Sequence, residues 1–313
     1  MGKGTSGTLV AGLAAALIST PVGCGGDSAN CVEGWCSVSV PTSAASFGGV
    51  WGSASDNIWV VGEGGTILHW NGQAWSSVSS GTLASLRAVW GSEPNVWAVG
   101  DTEGAGKLVA NVVDSDWLAG KIGLVPTLNC VWGSGPGDVW AGGDAGTMVH
   151  FTGASFSTVA TASPESIRGI WGSGPNDVWA VGDSNTIQHW DGTAWSLVYQ
   201  GEGYTRFNGI WGSGPSDVWA VGAHGVVYHW DGVSWAFDPS SPNVDLVAVW
   251  GSSSSDVWIL GENGTVWHTD ERLLFGDPPQ LRVLLNGVWG SAPGDVWAVG
   301  STGTAAAIFH HQP

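Results

Sequence analysis

Most of the chemistry open to this 313-residue chain lies in a few repeated side chains. His69, His150, His189, His229, His268 and His310 occupy one recurring slot and take up six of the eight histidines. Spread one per repeat, they cannot converge on a single ion, as metal ligands must. A structural role is expected, with no metal site, and the adjacent His310–His311 pair at the chain end reads as solvated. A second slot carries Asp138, Asp177, Asp217, Asp256 and Asp295, with Asn57 and Asn95 in the first two copies. Beside Ser-Gly-Pro or Ser-Ser turns, such a carboxylate most simply accepts hydrogen bonds from turn backbone N–H groups. Calcium on scattered turn oxygens is a minor alternative. Paired catalytic carboxylates would break the repeat, and these keep it.

Sialidase-type glycoside hydrolysis would need three arginines converging on a substrate carboxylate and a tyrosine nucleophile. The chain has Arg87, Arg168, Arg206, Arg272 and Arg282, and the tyrosines Tyr199, Tyr204 and Tyr228. Arg87 and Arg168 stand at equivalent repeat positions, so repetition explains them, and hydrolysis is the least favoured reading. The expectation is a protein that is not an enzyme and needs no cofactor.

One slot breaks the uniformity and is the best lead to a ligand. Three residues before each recurring Trp-Gly-Ser stand Gly48, Arg87, Asn129, Arg168, Asn208, Val247 and Asn286. The next position is always small: Gly49, Ala88, Cys130, Gly169, Gly209, Ala248 and Gly287. Cys130 is thereby a buried filler, not a nucleophile.

These slots need a scaffold, and the repeat supplies it. Trp-Gly-Ser recurs at Trp51, Trp90, Trp132, Trp171, Trp211, Trp250 and Trp289, about 40 residues apart. Each copy continues into a Val-Trp-Ala-Val-Gly-type strand, and most add a Thr-Ile-x-His-Trp-type strand and an Asp-Gly hairpin. Short strands, Gly-rich turns and no helical period predict four-stranded propeller blades. Strand A ends at the first Trp; strands B, C and D follow outward. The last repeat stops after strand C, while Trp35–Val38 at the other end matches a spare strand D. The predicted fold is all-β: a seven-bladed β-propeller of four-stranded blades, closed by the N-terminal strand completing the last blade. Closure removes the sheet edges that an open array would expose. Of the 23 tryptophans, those ending strand A and those within strand B are expected to pack between blades.

The strand A Trp, the Val-Trp-Ala-Val-Gly strand and the Asp-Gly-x-x-Trp hairpin (Asp191–Trp195 in the fullest copy) resemble tectonin-type and Asp-box, or BNR-like, bacterial propellers over residues 35–313. The Asp-box match is partial, since His189 and His229 stand where that pattern has Ser or Thr. Tectonin-like relatives imply lectins or envelope-binding proteins; Asp-box relatives include sialidases and assembly factors. WD40 repeats fit poorly.

Residues 1–24 read as a signal peptide: Lys3, then an apolar run over Leu9–Ile18, too short to span a bilayer. The run ends in Pro21-Val22-Gly23-Cys24, which resembles a bacterial lipobox, although Pro21 replaces the usual aliphatic residue. Cys24 is the expected lipidation site, with simple cleavage as the alternative. Residues 25–34 form a short linker, and Cys31 and Cys36 are expected to pair in an oxidising compartment. Eight Lys and Arg against 26 Asp and Glu, a formal charge of −18, argue against nucleic acid and anionic lipid as partners.

In propellers, strand A lines the central channel and starts at the face carrying the D–A and B–C loops. Arg87, Asn129, Arg168, Asn208 and Asn286, with Tyr204 and Arg206 from a variable D–A loop, should therefore rim the channel mouth. Planar amide and guanidinium groups suit sugar hydroxyls and carboxylates. The leading expectation is a monomeric, extracytoplasmic binding module for a glycan or acidic ligand, lipid-anchored through Cys24 in the bacterial envelope or secreted. The alternative is a protein-interaction scaffold for envelope assembly.

Overall fold

The computed structural model describes Met1 and residues 31–101, 107–113, 116–121, 125–201, 205–269 and 281–312, with no side-chain description over 102–124. The signal-like segment with Cys24, and also Tyr204, lie outside the described residues. All the strand pairings are antiparallel, and the chain is an all-β propeller. Six blades are each built from one contiguous stretch: 47–78, 86–121, 128–158, 167–199, 207–237 and 246–269. A further sheet joins the two chain ends. There Trp35–Val38 pairs with Ala306–His311, setting Trp35 opposite His311 and Val38 opposite Ile308.

The expectation of a seven-bladed propeller of four-stranded blades is corrected: the structure has six blades, beside a composite sheet of the two chain ends. Only the six contiguous blades come from single repeats, and the sixth has three strands among the described residues. The composite sheet has five strands, because Cys31–Val32 folds back onto Trp35–Cys36. The Cys31–Cys36 disulfide staples that outermost hairpin. A short hairpin at a sheet edge has few ladder bonds of its own, and the cross-link restricts its unfolded alternatives.

Each strand B is largely apolar after its first residue because it lies between two neighbouring sheets. Asp177–Gly182 (DVWAVG), for example, is buried at every position after the first. Strand D lies outermost and faces solvent, as Trp195–Tyr199 does beyond its buried first residue. The core is accordingly divided into apolar clusters, each mixing residues of adjacent blades. Trp140 is fully buried in one of them. Removing a Trp side chain from water is worth at most roughly 4–6 kcal/mol before entropy costs.

Adjacent A strands touch in a closed circle, the composite sheet meeting blade one. The tryptophans ending strand A determine how close they come. A Cβ at Gly91 would lie 2.6 Å from the benzo edge of Trp51, and one at Gly52 would lie 2.6 Å from that of Trp289. The same contact links Trp90 to Gly133, Trp132 to Gly172, Trp171 to Gly212, Trp211 to Gly251 and Trp250 to Gly290. Each indole thus covers the glycine that follows the next blade's own Trp. These seven tryptophans thus pack between blades as expected while remaining half-buried, whereas Trp59, Trp97, Trp140, Trp179, Trp258 and Trp297 of strand B are buried.

Candidate binding site at the channel mouth

The His and Asp slots meet within five of the sheets, away from the mouth. Ser213 Oγ donates to Asp217 Oδ2, while His229 Nε2 bonds Asp217 Oδ1 at 2.7 Å. The same arrangement recurs at Ser134–Asp138–His150, Ser173–Asp177–His189, Ser252–Asp256–His268 and Ser291–Asp295–His310. The imidazole then stacks on the strand B indole, at 3.7 Å between ring centres for Trp140–His150 and 3.8 Å for Trp297–His310. The aspartates therefore do not serve chiefly as acceptors for turn N–H groups, as expected; they join two side chains across three strands. In blade one Asn57 takes the place of the aspartate, and Glu93 from the next blade supplies the carboxylate to Ser53 and Asn57. His310 is buried and His311 bonds the Gly294 carbonyl at 3.0 Å, so the terminal pair is not solvated as expected. Among the described residues no cluster of His, Cys, Asp or Glu could hold a metal ion.

Cys130 is buried against the Gly142 carbonyl, and burial pushes its thiol up to about 12. Tyr199 and Tyr228 bond each other at 2.8 Å across blades four and five; burial first, then that bond, raises Tyr228 to about 12.

The strand A slot gathers around one cavity of about 450 Å³, to which all seven sheets contribute. Its lining holds Arg87, Asn129, Arg168, Arg206, Asn208 and Asn286, together with Gly48 and Val247 from the same sequence slot. Six of the seven ligand residues expected from sequence thus share this cavity; Tyr204 is the one outside the described residues.

The asparagines and arginines play different parts. Asn129 Nδ2 donates to the Ile167 carbonyl at 3.1 Å, Asn208 Nδ2 to Leu246 at 2.7 Å, and Asn286 Nδ2 to Phe47 at 2.7 Å. Each amide reaches the start of the next blade's strand A, so it latches neighbouring blades at the mouth. Arg168 holds both carboxylate oxygens of Asp183, its second contact at 3.1 Å. Arg87 Nε donates to Asp101 Oδ1 at 2.7 Å, yet its side chain remains 49% exposed.

Sequence reading missed these acids. They follow the Gly that ends strand B, giving Glu63, Asp101, Asp144, Asp183 and Glu262, with Ala223 and Ser301 completing the circle. The signal was a carboxylate after Val-Gly or Leu-Gly in most repeats, but it only gains meaning once strands A and B pair. Gly182 pairs with Ile167, and Arg168 occupies the register shift between Ile167 and Gly169, from which its side chain reaches Asp183. Against two lining carboxylates, Glu63 and Asp101, the cavity presents three of the chain's eight basic side chains.

Fold and site together define a propeller repeat protein with a charged cavity at one end of its central axis. No family model and no curated protein matches the chain. Among solved structures it is similar to one described as YCF48 bound to D1 peptide, at 14% identity and TM-score 0.70, covering 90% of this chain and 96% of that one. It is also similar to YCF48 from Cyanidioschyzon merolae, at 14% identity and TM-score 0.68, covering 90% and 99% of the two chains. At such identity the likeness establishes the fold alone.

Proposed function

We propose that this chain is a non-catalytic protein-interaction propeller that holds a peptide segment of its partner over the channel mouth. The observation that carries this reading is the concentration of Arg87, Arg168 and Arg206 around one open cavity in a chain whose formal charge is −18. Guanidinium groups bind carboxylates directionally, and a low-charge scaffold makes their clustering stand out. A solved propeller of the same fold, YCF48, is described with a peptide bound, which favours a protein ligand. The glycan reading is weakened, because the amides of Asn129, Asn208 and Asn286, which would meet sugar hydroxyls, already bond the next blade.

A non-catalytic role is supported by the geometry of the Ser, Asp and His groups. Serine and histidine bond opposite oxygens of one carboxylate, so the imidazole does not contact the serine oxygen and cannot take its proton. The signal-like N-terminus, the Cys24 lipobox resemblance and the disulfide are consistent with presentation outside the cytoplasm on a bacterial envelope, and the propeller can act there as an assembly scaffold. The tectonin and Asp-box resemblances agree with this reading only at the level of a binding propeller.

The test is affinity capture from an envelope extract with the full chain and with a triple variant, Arg87, Arg168 and Arg206 each to Gln. Capture that disappears after protease treatment of the extract, and also disappears in the triple variant, supports the proposal. Capture that survives protease, or is untouched by the three substitutions, contradicts it.

A further inference from the structure

The repeat itself shows which charges at the mouth are already compensated. The residue after the strand B glycine lies against the strand A slot, and in blades two to four the two bond: Arg87 with Asp101, Asn129 with Asp144 at 2.9 Å, and Arg168 with Asp183. The other four sheets depart from this: in the composite sheet Asn286 and Ser301 bond Phe47 and Ala45 carbonyls instead, in blade six the pair is Val247 and Glu262, of which only Val247 lines the cavity, and blades five and one each place a charged residue at the cavity. In blade five the acid position is Ala223, and Arg206 bonds only the neutral Asn208 oxygen, at 2.9 Å. Arg206 is exposed, and no carboxylate pairs with it among the described residues. In blade one the acid, Glu63, is present and exposed, but the slot opposite is Gly48. A Cβ there would lie 2.7 Å from the Leu86 carbonyl oxygen and 2.8 Å from that of Arg87, so the close approach of blade two leaves no room for an arginine.

From these departures we infer that the mouth is a bipolar peptide site: Arg206 receives a carboxylate of the bound segment, and Glu63 receives a basic group of the same segment. Both line the one cavity. Arg87 and Arg168 are positioning residues, whose charge is balanced within the protein before any ligand arrives. A carboxylate approaching Arg168 must compete with Asp183, whereas at Arg206 it competes, among the described residues, only with a neutral amide contact. The inference rests on the reading of the mouth as a peptide site, and it fixes the charge pattern of the peptide.

A displayed random dodecapeptide library panned against the full chain tests it. The wild type is expected to enrich peptides carrying both an acidic and a basic residue at a fixed spacing. Arg206→Gln should remove the acidic preference while keeping the basic one, and Glu63→Gln should do the reverse, each lowering affinity for the strongest peptide by about tenfold. Ala223→Asp, which supplies the carboxylate that blades two to four have, should act like Arg206→Gln. Arg168→Gln should lower affinity less than Arg206→Gln and leave the acidic preference dependent on Arg206. Each variant is first matched to wild type in thermal unfolding, so that loss of fold is not read as loss of binding. Enrichment without charge preference, or an acidic preference that depends on Arg168 and not on Arg206, overturns the inference and leaves the peptide reading standing. If the wild type enriches no peptide, the peptide reading itself fails, and the inference with it.

Discussion

At the residue scale, the most repeated chemistry in the chain is structural. The Ser–Asp–His set ties strands A, B and C of one blade together, and the imidazole lies flat on the strand B indole. Asp217→Ala would leave Ser213 and His229 without their shared acceptor. Unfolding in urea should show a loss of about 1–3 kcal/mol, as for removing a partner from partly buried polar groups; a loss under about 0.5 kcal/mol would mean the set is ornamental. These groups also set a pH dependence. Burial holds His69 below its ordinary value. A base depressed in the fold favours the neutral form there, so its contribution is complete above the unfolded value of about 6.5 and is lost as pH falls below it. Asp295 also lies below its ordinary value; burial opposes this, but bonds from His310 and Ser291 prevail. A carboxylate depressed in the fold stabilises above about 3.9 and loses that contribution as pH drops further. Melting temperature should therefore fall in two stages on acidification, first below about pH 6.5 and again below about pH 4. A melting temperature constant from pH 7.5 to 3 would contradict this.

At the element scale, the strand pattern was legible because each strand type has a single environment. Val-Trp-Ala-Val-Gly is buried on both faces, and the Asp-Gly hairpins place Asp191 and Asp231 where their carboxylates accept the N–H groups two and three residues on. The unpaired strand at Trp35–Val38 could be matched to the incomplete last repeat from sequence, because strands C and D repeat their tryptophans. Less legible were contacts between repeats. Nothing within one copy shows that an asparagine three residues before a Trp bonds the next blade, or that Glu93 completes the network of its neighbour. Uniform four-stranded blades were assumed from the average copy, and the chain ends depart from it. A tight inter-blade contact gives a direct test. Gly91→Ala would place a methyl group 2.6 Å from Trp51 and 2.9 Å from the Asn95 carbonyl oxygen. Overpacking of this kind should cost about 1–3 kcal/mol in denaturant unfolding. A neutral effect would show that the indole collar is slack.

At the scale of the whole molecule, closure and function are linked by the same strand. Strand A carries the Trp that covers the next blade and, three residues earlier, the group facing the channel mouth. A rigid ring holds the arginines and carboxylates of different blades around one cavity, as loops on a scaffold are held for binding. The arginine slots were visible in the sequence because they interrupt a glycine and asparagine series. Their carboxylate partners were not, since pairing across strands A and B joins residues about 15 apart in the chain, as Arg168 and Asp183 show.

The most direct measurement is amide hydrogen exchange on the full chain with and without the strongest peptide from the library. The account predicts protection confined to the mouth, at the strand A starts near residues 46–48, 85–87 and 206–208 and around Glu63. Protection along the outer D strands, or at the opposite end of the channel near the tryptophan collar, would contradict it.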